Sequence, residues 1–147
     1  DIGCYPLSFL MLFCNNLKNF DFKDKKLNFS KTGVDDHAEA KIILNDSIQA
    51  EIKVSLKQNL DNNSIIYGTR GSIIINNPWL PHKKTVLEVI SGKHYYKQFV
   101  KSELSLYAKQ IQMTADSFMK KNEEKNTLFN IDKSIICMSL IEKWKKN

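Results

Sequence analysis

Glycine, proline and arginine are scarce in this sequence, and it has no long apolar run. The 147 residues include five glycines and three prolines. The glycines form neither GxGxxG nor GxxxxGK[ST], so no phosphate-cradling nucleotide motif is encoded here. The pair in GTRG (68–71) leads into a strand-like run, not into a helix start, and reads as a turn. The most apolar stretch, PLSFLMLFC from Pro6 to Cys14, has about half of the roughly 20 residues a membrane-spanning helix needs. It predicts a buried helix. No basic segment precedes it and no small-residue cleavage site follows, so no signal peptide is expected either.

Cysteine is equally sparse. Cys4, Cys14 and Cys137 are an odd set without a CxxC pair, which points to reduced, packed thiols and to neither a disulfide framework nor a zinc site. His37, His82 and His94 have no ligand-like spacing, so no metal site is expected. A cytoplasmic protein with no membrane partner follows as the expectation. Of 22 basic residues only Arg70 is an arginine. The formal net charge of +6 invites a nucleic-acid reading, but base and phosphate forks favour arginine, and the lysines are interleaved with acids. A lysine-rich solvated surface and no nucleic-acid partner are expected.

The chain is 42% hydrophobic and 26% charged, with apolar positions along its whole length, as in an ordinary globular protein. Its length suits one domain covering residues 1–147. Leu7, Leu10, Met11 and Cys14 repeat at helical spacing, with Pro6 placed for a first turn. The polar stretch FDFKDKKLNFSKTG after it predicts at most short edge strands. In SIQAEIKVSLK the period becomes two: Ile48, Ala50, Ile52, Val54 and Leu56 alternate with polar residues, the mark of a half-buried strand. Ala38, Ala40, Ile42 and Leu44 supply its partner across the NDS turn (45–47). A second hairpin joins SIIY to SIII through GTRG, and further strands are expected in TVLEVIS and HYYKQFV around Gly92.

The remainder is helical. Leu104, Tyr107, Ile111, Ala115 and Phe118 make one apolar stripe. A linker KKNEEKNT follows, then a last helix with Ile131, Ile135, Met138, Ile141 and Trp144, capped by Asn130. Segregated strands and helices predict an α+β domain with an open, mostly antiparallel mixed sheet and helices packed on one face.

Three residues are candidates for chemistry. Asp1 and Tyr5 sit four apart at a helix entry, so their side chains can share one space. Gly3 between them leaves room for a ligand or another backbone. A tyrosine handles protons at neutral pH only if a neighbour, usually a cation, lowers its pKa from about 10, and no such lysine is identifiable locally. The plain alternative is an acidic helix start and a packed tyrosine. Trp79, between Pro78 and Pro81 in NNPWLP, either offers an aromatic wall to a ligand or packs over the sheet edge. Asp35 and Asp36 are adjacent, and neighbours on a strand point to opposite faces, so they make no acid pair.

In order and spacing these stretches resemble the C-terminal domain of the Gfo/Idh/MocA oxidoreductases. DIGCYPLSF is similar to that family's Asp-x-Gly-x-His/Tyr segment, and VDDHAEAKIIL with SIQAEIKVSL to its paired strands. IIYGTRGSIIINNPWLP resembles its Gly-Thr-x-Gly hairpin and aromatic loop, and the ending its two closing helices. The resemblance covers nearly the whole chain. It implies a fold like the C-terminal domain of glyceraldehyde-3-phosphate dehydrogenase. It also implies a Rossmann domain, absent from this chain, that binds NAD or NADP and supplies a catalytic lysine beside the phenol. Asp1 and Tyr5 take the family's acid and proton-handling positions, and Trp79 a place near the substrate. Tyr5 in a position where many members have His looks like the sugar- and diol-oxidising branches, such as glucose–fructose oxidoreductase and dimeric dihydrodiol dehydrogenase. The chain then reads as the substrate and oligomerisation domain of an NAD(P)-dependent oxidoreductase of a sugar, polyol or diol, inactive alone and binding no cofactor alone. The alternative is a noncatalytic interaction or dimerisation module that uses its exposed sheet face.

Overall fold

The computed structural model describes residues 2–14, 17–119 and 130–146. These form seven strands in two open antiparallel sheets and three helices, the α+β architecture expected. Contacts divide the chain into two compact units, Asp1–Leu60 with Phe129–Asn147, and Asp61–Leu128.

In the first unit, α1 (Cys4–Leu10) begins two residues before Pro6. The ring sits in the first turn, where its missing N–H removes no intrahelical bond. β1 (Phe20–Phe29), β2 (Asp35–Leu44) and β3 (Ile48–Ser55) form a sheet in that order. β1 is one ten-residue strand where only short edge strands were expected. A bulge between Lys23 and Lys26, with Asp24 at φ 48°, lets its polar sequence stay paired with β2. The β2–β3 turn uses Asn45 and Asp46, both at positive φ, and closes on Leu44 opposite Ile48. Ala38, Ala40, Ile42 and Leu44 are all buried, as their alternation predicts. They pack with Leu7, Met11 and Cys14 of α1 and with Cys137, Leu140 and Trp144 of α3 (Ile131–Lys145).

The stripe expected on the last helix is met only at its C-terminal end, where Trp144 is buried and Ile141 packs against the core. Ile131, Ile135 and Met138 are exposed, and the buried side carries Cys137, Leu140 and Trp144. Two apolar faces lie on opposite sides of α3, so periodicity alone did not choose the one that meets the core. The expected cap is present: Asn130 Oδ1 accepts from Lys133 N at 3.0 Å.

The second unit holds β4 (Asn63–Gly68), β5 (Gly71–Asn76), β6 (Lys84–Ser91), β7 (His94–Lys101) and α2 (Leu106–Phe118), with the strands in sequence order. Both hairpin turns fall where the glycines predict, at Gly68–Gly71 and around Gly92. None of residues 61–119 is fully buried. Of the stripe expected along α2, Leu104 just before the helix, Tyr107, Ile111 and Phe118 are exposed, and Ala115 is half-buried. Helical spacing shows that a face is apolar; what covers it is a separate fact. The linker KKNEEKNT lies outside the described residues.

Candidate functional site

Tyr5 occupies the first turn of α1, and its side chain is 53% exposed. A short turn delivers it there: Tyr5 N–H donates to Ile2 O at 3.3 Å, and Ser8 Oγ donates to Tyr5 O at 3.0 Å. Asp1, its expected partner, lies outside the described residues. Trp79 belongs to the second unit, half-buried in the loop between β5 and β6. That loop starts from Asn77 at φ 50°, whose Nδ2 donates to Leu80 O at 3.0 Å and whose N–H donates to Asn62 O at 2.7 Å. The aromatic is therefore presented from a hydrogen-bonded turn. Tyr5 and Trp79 lie in different units.

Gly3 has a role that the sequence reading assigned otherwise. It caps α1 at φ −63°, ψ −21°, angles open to any residue, so conformational freedom does not explain it. Space does: a Cβ there would lie 3.2 Å from Cζ3 of Trp144. The room beside Gly3 is taken by an indole from this same chain. That indole is 3% exposed, stacks on Phe22 with the rings 16° from parallel, and donates from Nε1 to Glu39 O at 3.3 Å. Beside it, Cys137 Sγ donates to Cys4 O at 3.8 Å.

Behind this segment is a cavity of about 40 Å³, bordered by Ile2, Gly3, Asp36, His37, Trp144 and Lys145. That is room for about a water or two, whereas ligand pockets run from about 300 Å³ upward. Asp35 pairs with Lys145 at 3.5 Å, while Asp36 Oδ1 and His37 Nδ1 are buried without a hydrogen-bond partner among the described residues. Glu39 joins His37 Nε2 at 2.8 Å and Lys53 Nζ at 3.1 Å. The bond from His37, then that from Lys53, holds the Glu39 carboxyl below the usual glutamate range. His37 and Glu39 share one face of β2, but Lys53 reaches Glu39 only by strand pairing with β3, which reading along the sequence does not show. Burial raises the thiols of Cys14 and Cys137, which makes them packing groups and poor nucleophiles.

Two glycine features of the described residues could suggest a phosphate site. The paired glycines, Gly68 and Gly71, close a β-hairpin, and the helix start at Gly3 is blocked by Trp144, so neither can cradle a pyrophosphate. Among the described residues no group of three or more His, Cys, Asp or Glu could hold a metal ion. No helix among them is long and apolar enough to cross a membrane.

Open antiparallel sheets with a short first helix and a closing helix packed on it give a fold seen in oxidoreductases, and the fold resemblance expected from the sequence is met at that level. Particular solved structures share it. The 3-ketoreductase KijD10 from Actinomadura kijaniata, in complex with TDP-benzene and NADP, matches 97% of this chain and 44% of its own, with a TM-score of 0.77 and 19% identity. Biliverdin reductase from Synechocystis sp. PCC 6803, in complex with biliverdin and NADP+, matches 95% of this chain and 43% of its own at a TM-score of 0.65 and 12% identity. The protein yvaA from Bacillus subtilis matches 97% and 46% at 0.63 and 14%. At these identities the likeness is one of fold. The chain spans less than half the length of each structure it matches. No family model matches the sequence, and no curated protein matches it.

Proposed function

We propose that this chain is the substrate-binding and oligomerisation domain of an NAD(P)-dependent oxidoreductase acting on a sugar, polyol or diol. The observation that carries the reading is the match of 97% of the chain to 44% of a ketoreductase crystallised with NADP and a TDP-bearing ligand. In this reading residues 1–147 are one C-terminal domain of the parent enzyme, a Rossmann domain brings NAD or NADP, and the protein works in the cytoplasm. The buried, unreactive thiols of Cys14 and Cys137 suit a reducing compartment.

Tyr5 is the proton-handling group and Asp1 its acidic neighbour, with Trp79 lining the substrate side. The exposed phenol on a fixed first turn supports that role for Tyr5. The cavity behind it is too small for a sugar, which fits a pocket completed by another domain. In the parent enzyme, Tyr5→Phe is expected to lower turnover about ten-fold or more, the scale of lost acid–base catalysis. Unchanged turnover would remove Tyr5 from the mechanism. The 147 residues alone are expected to turn over no NAD(P), and measurable turnover would overturn that part of the reading.

The second unit supports the assembly role. Strand register puts Ile65, Tyr67, Ile90, Tyr95 and Phe99 on one face of the sheet, all exposed, with Phe99 at 73%. Apolar side chains presented in this way suit contact with a second copy. The same face favours the second reading, a noncatalytic interaction module. That reading is separated by the Tyr5→Phe experiment: it expects association that survives while no turnover depends on the phenol.

A further inference from the structure

The glycine two residues before Tyr5 is needed for space, and the group that takes the space is fixed from three sides. Phe22 of β1 stacks on the Trp144 indole, the Glu39 carbonyl of β2 accepts its N–H, and Gly3 lies against its benzo edge with Cζ3 3.2 Å from the would-be Cβ. The first two contacts tie the ring to the sheet. The third lays the turn from Ile2 to Tyr5 on it, and that turn is closed by the Tyr5 N–H bond to Ile2 O.

We propose that Trp144 is a positioning residue for Tyr5, acting through Gly3: the sheet-anchored indole is the wall against which the phenol-bearing turn is set. The catalytic consequence rests on the reading of Tyr5 as the proton-handling group; the placement of the turn does not. A Cβ on residue 3 must displace either the turn or the ring by a few tenths of an ångström. The ring is held by two other contacts, so the turn moves and Tyr5 moves with it. A misplacement of about 1 Å can cost 10²-fold in rate, so a shift of this size is expected to lower turnover roughly three- to ten-fold.

The test is a double-variant cycle of Gly3→Ala and Trp144→Phe, because phenylalanine keeps an aromatic ring on Phe22 while withdrawing the benzo edge that Gly3 touches. In the 147-residue chain, the Tyr5 amide and ring resonances are read by NMR. They are expected to shift in Gly3→Ala and to return toward their original places when Trp144→Phe is added. In the parent enzyme, kcat is expected to fall in Gly3→Ala with KM little changed, and to recover in the double variant. Tyr5 resonances that stay in place in Gly3→Ala, or that Trp144→Phe does not restore, overturn the proposal. If Gly3→Ala alone fails to fold, restored folding in the double variant supports the contact and continued failure refutes it. Should Tyr5→Phe leave turnover intact, the catalytic reading falls, and the NMR cycle still decides the positioning.

Discussion

The orientation of the last helix is the part of the fold most open to direct challenge, and Leu140→Ala challenges it. Leu140 is fully buried in the cluster formed with α1 and β2, whereas Ile135 on the opposite side of the same helix is 60% exposed. Truncating leucine to alanine removes three carbons, about 2.4 kcal/mol of transfer free energy at ~0.8 kcal/mol per buried carbon. A residual cavity adds to this. Ala38 and Ala40 in the same cluster have side chains too short to lean into the gap, so the site cannot collapse fully. The expected loss is about 3–4 kcal/mol, inside the ~2.7–5 kcal/mol range known for this change in a well-packed core. Alanine is the better helix former, so helix propensity does not inflate the number.

For a unit of about 80 residues, whose stability is expected near 4–12 kcal/mol, that loss is a large fraction. The assay is urea unfolding of a Trp79→Phe chain, in which the emission of buried Trp144 reports on the first unit alone. With a urea slope of about 1–1.5 kcal/mol per molar, the midpoint should drop by about 2–4 M. Ile135→Ala in the same background should stay within about 0.5 kcal/mol of the parent chain. If Ile135→Ala costs as much as Leu140→Ala, the helix is turned the other way, and the placement of Trp144 against Gly3 falls with it.

Two further outcomes concern the sheets. Gly71 adopts φ 153°, and a Cβ there would lie 1.9 Å from the Ile90 carbonyl oxygen, so Gly71→Ala should part β5 from β6 and cost more than about 1 kcal/mol. Gly92→Ala has open space around its Cβ and only an unfavourable φ, and should cost less; urea midpoints read from Trp79 emission in a Trp144→Phe chain compare the two. Glu39 has its folded-state pKa lowered, so its contribution to stability is complete above the unfolded glutamate value of about 4.5 and is lost as pH falls through the lowered value. The first unit's urea midpoint should therefore decline below about pH 5, and Glu39→Gln should flatten that decline. An equally steep decline in the variant would sink the assignment.

Strands were legible from sequence where burial is one-sided and turn chemistry is explicit. Ala38 to Leu44 alternates against a core, Asn45 and Asp46 supply the positive φ that the turn needs, and Gly68 and Gly71 close the next hairpin. Helix faces were less legible, for a physical reason. α3 carries apolar residues on two opposite sides, and a one-dimensional period cannot say which side meets the sheet. α2 has a single clear stripe, yet that stripe is mostly exposed. In the proposed function this is the same fact as the lack of a fully buried residue between 61 and 119: the sequence was patterned for surfaces that other chains or domains supply.

The candidate site divides along the same line. The Tyr5 position could be read from a local motif because the turn and helix start that place it are local. The use of Gly3 could not, because its neighbour Trp144 is brought from the far end of the sequence by α3 packing on β1 and α1. A glycine in such a motif suggests either positive φ or room for a ligand. Here the backbone angles exclude the first, and the indole occupies the room that the second requires. The glycine therefore carries information about the C-terminal helix: in the proposed positioning, a substitution at Gly3 is felt at Trp144 and one at Trp144 at Gly3, and through both at the phenol.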